Sequence, residues 1–451
     1  MTTPNNRVLI ISHGHPQLSP GGGEIVAYKL YQAIQASGDA EAYYLGAMLP
    51  QFGLPHCGSA LLPANVDPNQ TLYWSDRYNY FLMAQDNLSV LLEEFGRYLE
   101  QVKPAAVHFH HVHNLGVEMI RMVRNICPDA RILMTLHEFL PICHHNGQMV
   151  KTKTLVPCWR SSPSECNRCF PEIQTGEFFF REQFLKSHLK LVDLFLCPSQ
   201  FLLSRYVEWG IPQEKLLYVE NGHVAGDDPQ PPVAPPGRNA FAFFGQISPY
   251  KGLPILFDAA KRLLSRGFDS FNIDVFGSML FLSGDQESAI RKRFAEIESH
   301  VQVHGAYRYQ DVIALMSTVD WVIVPSIWWE NSPLVIQEAF AARRPIICSN
   351  IGGMAEKVRD EVDGLHFRAG DPISLADTMV RACTEPGLYE RLSAGIVPIH
   401  SMRSSAKEHL ALYGIIDKPA VRRPAGVSFN SARRRRSVVS EPACTTAATG
   451  G

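Results

Sequence analysis

DWVIVPSIWWENSPLVIQEAFAARRPIICS, residues 320–349, runs from a strand-like stretch through a loop into a helix. The apolar run 321–325 has strand composition, and the spacing behind it predicts a helix with Ser332 as its cap, Pro333 at its first position and an end before Pro345. Such a helix start offers unpaired N–H groups and a partial positive charge, which suit a diphosphate. Asn331, Ser332, Pro333 and Leu334 make up that turn. Glu338, about one turn inside the helix, is within reach of a ribose diol. Glu330, in the loop, then faces whatever the phosphate carries.

The same rhythm extends in both directions. RVLIIS is followed by a glycine loop (Gly21, Gly22, Gly23) and a helical run; AAVHFHH, LGVEMIRMVRNI and RILMTLH repeat the alternation. Buried-type strands alternating with amphipathic helices predict βαβ units and a parallel sheet with helices on both faces. The rhythm breaks in a proline-rich stretch, with five prolines between Pro229 and Pro236, and resumes with FAFFGQ. A stiff linker there divides the chain into a first domain over 1–222, a linker over 223–240 and a second domain over 241–415. From 416 to 451 there is no apolar periodicity, and four consecutive arginines, Arg433 to Arg436, stand among small residues, so a disordered basic tail is expected.

With these elements in order, the chain resembles glycosyltransferase family 4, the group 1 glycosyl transferases. Lys251 in GQISPYKG, the glutamate pair in PSIWWENSPLVIQE, and the segments SNIGGMAEKV and VDGLHF follow that family's order, and the likeness reaches back through TLHEF to the glycine loop. The resemblance implies an α/β fold of two facing Rossmann-like domains, the GT-B architecture. It implies retaining transfer of a sugar from a nucleoside-diphosphate donor, held by the second domain, to a hydroxyl acceptor on the first, in polysaccharide or glycolipid synthesis. A lipid-linked glycan is one such acceptor. It assigns Glu338 to the ribose, Lys251 to the diphosphate, Glu330 to the donor sugar and His137 to the reacting centre, with Gly21–Gly23 beneath the diphosphate. No cofactor beyond the donor is implied. At position 246, where relatives commonly carry arginine, this chain has Gln246, which can hydrogen-bond a phosphate but not neutralise it. That departure keeps a nucleotide-sugar-binding protein without transfer activity open, and a nucleotide-sugar epimerase of the same architecture is the other alternative.

Beyond the resemblance, Cys143, Cys158, Cys166 and Cys169 fall in one insertion, at about 143–170, with the last two as C-x-x-C. They are candidates for one tetrahedral structural zinc, or for reduced, packed thiols. In HFHHVH, alternation puts His108 and His110 on one face and His111 on the other. Across 451 residues the net charge is −2, which gives no global reason to expect nucleic-acid binding. The ten cysteines without an export signal, and the absence of a spanning apolar run, favour a cytoplasmic protein. The arginines of the tail suit a peripheral contact with an anionic inner membrane face.

Overall fold

The computed structural model describes residues 5–417 except 20, 54–57, 65–66, 75–76, 228–236 and 280–281. Most of the proline-rich stretch and the arginine-rich tail therefore lie outside the described residues.

Two sheets organise the chain. The first runs Leu216–Tyr218, Leu194–Cys197, Arg131–Thr135, Ala106–Phe109, Arg7–Ser12, Glu41–Met48, Gln70–Trp74 and Leu61–Pro63. It is parallel except for its last pair. The second is wholly parallel: Val301–Gly305, Asn272–Phe276, Ala240–Phe244, Trp321–Val324, Ile346–Ser349 and Gly364–Phe367. Burial on both faces accounts for their near-continuous apolar runs; Val8, Leu9, Ile10 and Ile11 are all fully buried.

Each sheet has one central point at which the order of its parallel strands reverses, and ligands of open α/β folds collect at such points. In the first sheet the reversal lies between Arg7–Ser12 and Ala106–Phe109; in the second, between Ala240–Phe244 and Trp321–Val324. The loops leaving these four strands carry His13, His110 and His111 on one side and Gln246, Lys251 and Glu330 on the other.

The last described helix, Met402–Tyr413, returns to the first sheet. Met402, Ala406, Leu410 and Tyr413 share a core with Val8, Ile10, Leu30 and Ile34, so packing does not follow chain order at this end.

Candidate functional site

The second sheet's wall is built from two loops drawn together. Gly252 has φ 74°, and a Cβ there would overlap the Pro325 carbonyl, so glycine allows the Lys251 loop to lie against the Glu330 loop. Glu330 is 5% exposed. Its Oε1 accepts from Lys251 Nζ (2.6 Å), Ser326 Oγ (2.8 Å) and Trp328 Nε1 (2.9 Å). The helix that follows spans Leu334–Ala341. The expected Ser332 cap does not form: Pro333, with ψ 125°, occupies the cap position, and no side chain caps the helix. Its first-turn N–H groups open toward a cleft lined by Ser332, Pro333, Leu334 and Val335. Glu338 lines the same cleft, 4% exposed, with His223 Nε2 at 3.8 Å. His223 is in turn 2.8 Å from the Tyr309 hydroxyl.

Gln246 also lines this cleft, and among the described residues Lys251 is the one lysine or arginine that does. Arg238 is turned away to Glu390, and Arg343 donates to the Ile396 carbonyl at 2.7 Å. Neither stands in for the missing guanidinium at position 246.

The opposite wall belongs to the first sheet. Gly21, Gly22, Gly23, His137 and Glu138 line it, and the whole cleft encloses roughly 1310 Å³ including its open mouth. His137 lies two residues beyond the Arg131–Thr135 strand, and its Nε2 is 2.9 Å from His110 Nδ1. Burial drives His137 down to about 3, so the imidazole is neutral and one of the pair donates to the other. Glu138 Oε1 meets His111 Nε2 at 2.8 Å, and burial pushes Glu138 up to about 8. His108 lies deeper, 2.7 Å from both Tyr413 Oη and Thr135 Oγ1, and so belongs to the core.

Asn331 spans the two walls. Its Oδ1 accepts from Ser199 Oγ (2.6 Å) while Nδ2 donates to the His137 carbonyl (3.2 Å) and the Leu136 carbonyl (3.3 Å). Its side chain thus fixes His137 against the Glu330 loop. Sequence reading placed this residue beside the donor and missed the bridge, because its partners are 132 and 194 positions away.

The four cysteines of the insertion line one cavity with His144 and His145. Among the described residues, however, no three His, Cys, Asp or Glu side chains are arranged to hold a metal ion, which favours the alternative of packed thiols over zinc. Burial pushes the Cys143 thiol up to about 12 and raises Cys166, and Cys158 Sγ donates to the Arg160 carbonyl at 3.4 Å. Packed thiols account for that arrangement. The insertion also has a role that its sequence did not signal. Cys158 accepts at its carbonyl from Trp329 Nε1 (3.1 Å), Trp159 packs edge-on to Trp329, and His145 Nε2 is 3.1 Å from the Tyr250 hydroxyl. It therefore braces both donor-side loops from across the cleft.

Residues 226–396 match the family described as "Glycosyl transferases group 1". That stretch is similar to group 1 glycosyl transferases. The chain is 30% identical over 164 residues to the D-inositol 3-phosphate glycosyltransferase of Frankia alni (34% of this chain, 39% of that protein). It is 29% identical over 153 residues to the phosphatidyl-myo-inositol mannosyltransferase of Mycobacterium leprae (34% and 39%). The chain thus spans about two fifths of the length of these relatives. Among solved structures, Anabaena Alr3699/HepE in complex with UDP-glucose aligns with TM-score 0.61 at 15% identity, over 91% of this chain and 100% of that one. Sucrose-phosphate synthase from Thermosynechococcus elongatus aligns with TM-score 0.67 at 17% identity, over 91% and 98%. Both likenesses concern the fold, which is the expected pair of Rossmann-like domains in the GT-B arrangement.

Proposed function

We propose that this protein transfers a sugar from a nucleoside-diphosphate donor to a hydroxyl acceptor, with retention at the anomeric carbon. One observation carries the reading: Lys251, the uncapped start of Leu334–Ala341, Glu330 and Glu338 all line one cleft. Breaking the bond to the diphosphate leaves growing negative charge on the leaving group, and a cation and oriented N–H groups fixed in advance stabilise it. Glu338 then takes the ribose and Glu330 the donor sugar. His137, neutral and held by His110 and Asn331, positions the reacting carbon without adding charge. Gly21–Gly23 let the acceptor approach the same carbon closely.

A role in building a polysaccharide or glycolipid is supported by relatives such as the phosphatidyl-myo-inositol mannosyltransferase of M. leprae. Among the described residues no helix is long and apolar enough to cross a membrane, so a lipid-linked acceptor would be met at a membrane face.

Incubation with labelled nucleotide sugars tests the reading. Transfer or slow donor hydrolysis is expected, with the released anomer matching the donor. Binding without turnover, relieved by Gln246→Arg, would instead favour a nucleotide-sugar-binding protein, since among the described residues no arginine compensates for Gln246 in the cleft. Isomerised nucleotide sugar would identify an epimerase.

A further inference from the structure

The family match covers residues 226–396, so the first sheet's wall has to be read from its own residues. At that sheet's reversal point lies a row in which two carboxyl groups flank two imidazoles. Glu24 Oε1 is 3.1 Å from His13 Nε2; the His13 and His111 rings are 4.6 Å apart; His111 Nε2 is 2.8 Å from Glu138 Oε1. The row runs from beneath the glycine loop to the cleft, where 24% of the Glu138 side chain is open.

From this row we propose that the acceptor is an uncharged, polyhydroxylated group, such as the end of a saccharide, whose hydroxyls hydrogen-bond Glu138, and that the same wall rejects phosphate-bearing acceptors. The inference rests on the transfer reading above. A carboxylate or carboxyl backed by an imidazole suits a hydroxyl, which can both donate and accept. A phosphate needs guanidinium, ammonium or a free helix N-terminus.

Among the described residues this wall offers none of these. The N-terminus of Gly22–Ser37 is already answered by Glu24 in its first turn, and the carboxylate lies so close beneath the loop that a Cβ at Gly21 would strike it. Burial works against the charge of Glu24, but His13 beside it holds the carboxyl below its usual range. Lys251, the cleft's one lysine or arginine among the described residues, stands on the far wall against Glu330, where the donor diphosphate requires it. Every lysine and arginine before residue 418 is among the described residues, so none is hidden in the gaps. Burial also holds His110, His111 and His137 well below the usual imidazole range, which denies a phosphate their positive charge.

The test begins with the full-length protein and a donor that binds or hydrolyses. Methyl glycosides of common hexoses and the matching hexose phosphates are then compared as acceptors by the rate of nucleotide release. Acceleration by a methyl glycoside is expected, with at least a tenfold lower kcat/KM for its phosphate. Glu138→Gln should raise the KM of the neutral acceptor by several-fold up to roughly tenfold, the loss of one carboxyl hydrogen-bond partner, and Glu138→Asp should recover part of it. A phosphate that matches or outperforms its neutral counterpart overturns the proposal, as does donor turnover that no methyl glycoside accelerates. A protein that binds no nucleotide sugar at all brings down the transfer reading itself, so the two failures are distinguishable.

Discussion

Lys251 and Glu330 neutralise one another at 2.6 Å before any donor arrives, and a diphosphate has to draw the ammonium away or share it. Glu330→Gln should therefore tighten binding of the nucleoside diphosphate alone, by several-fold up to about tenfold, while nucleotide-sugar turnover falls. Calorimetric titration checks this, and unchanged or weaker affinity would remove the idea that Glu330 restrains the lysine. Across the cleft, Glu138 offers a pH test. Its folded value, raised to about 8 from 4.5, means that the native state holds a proton which the unfolded chain releases. Its contribution to stability is full below pH 4.5 and is lost as pH rises toward 8, by on the order of 1–3 kcal/mol. His137, lowered to about 3, works oppositely, since its contribution is present above pH 6.5 and lost as pH falls toward 3. Denaturant titration should find the Glu138→Gln protein gaining on the wild type between pH 6 and 8.5. At this scale Lys251, Glu330 and Glu338 were legible because their spacing reflects local loop and helix geometry. The cap was misplaced by one residue: Ser332 is a good cap by composition, yet Pro333 takes the extended cap conformation itself.

Elements place these residues, and one buried cation secures the loop that carries Glu138. Arg181, 3% exposed on the helix Thr175–Leu189, donates to the carbonyls of Phe81 (2.6 Å), Pro141 (2.7 Å) and Leu140 (2.6 Å). Arg181→Met preserves length but leaves three buried carbonyls without these donors, so a loss of about 3 kcal/mol is expected in urea unfolding, with a weaker response to acceptor. A change below about 0.5 kcal/mol would mean that the loop is held by other contacts. The strands and helices around this region were readable from apolar alternation, which is a local property. The cysteine insertion was not. Its Pro163–Cys169 helix, capped by Ser162 Oγ, and its contacts with Trp329 and Tyr250 depend on partners far along the chain.

At the scale of the molecule, periodicity identified two βα arrays, but their facing arrangement came from resemblance, because no local pattern records how two sheets meet. Long-range polar contacts hold the two walls together. Gln337 Nε2 donates to the Asn221 carbonyl (2.7 Å), Lys357 pairs with Glu220 (2.9 Å), and Asn331 reaches Ser199 and His137. Glu356, on the short helix Gly352–Lys357, accepts from the backbone N–H groups of Gln200 (2.8 Å) and Phe201 (2.9 Å). The helix Gln200–Trp209 on the first sheet's side thus has two caps, its own Ser199 and a carboxylate supplied from the second. Glu356→Ala removes only the second. Ser199 still caps Leu202, so the helix should survive at a cost of about 1 kcal/mol. The larger effect should be on coupling between the two sheets, because a bond that stabilises both disappears. Calorimetry should then show a broader or split unfolding transition, and the KM for donor should rise with little change in kcat, because the walls that enclose the donor no longer hold one spacing. A single, sharp transition shifted only by the lost cap would make Glu356 a helix cap and nothing more, and would leave Asn331 and Gln337 as the contacts that set the cleft.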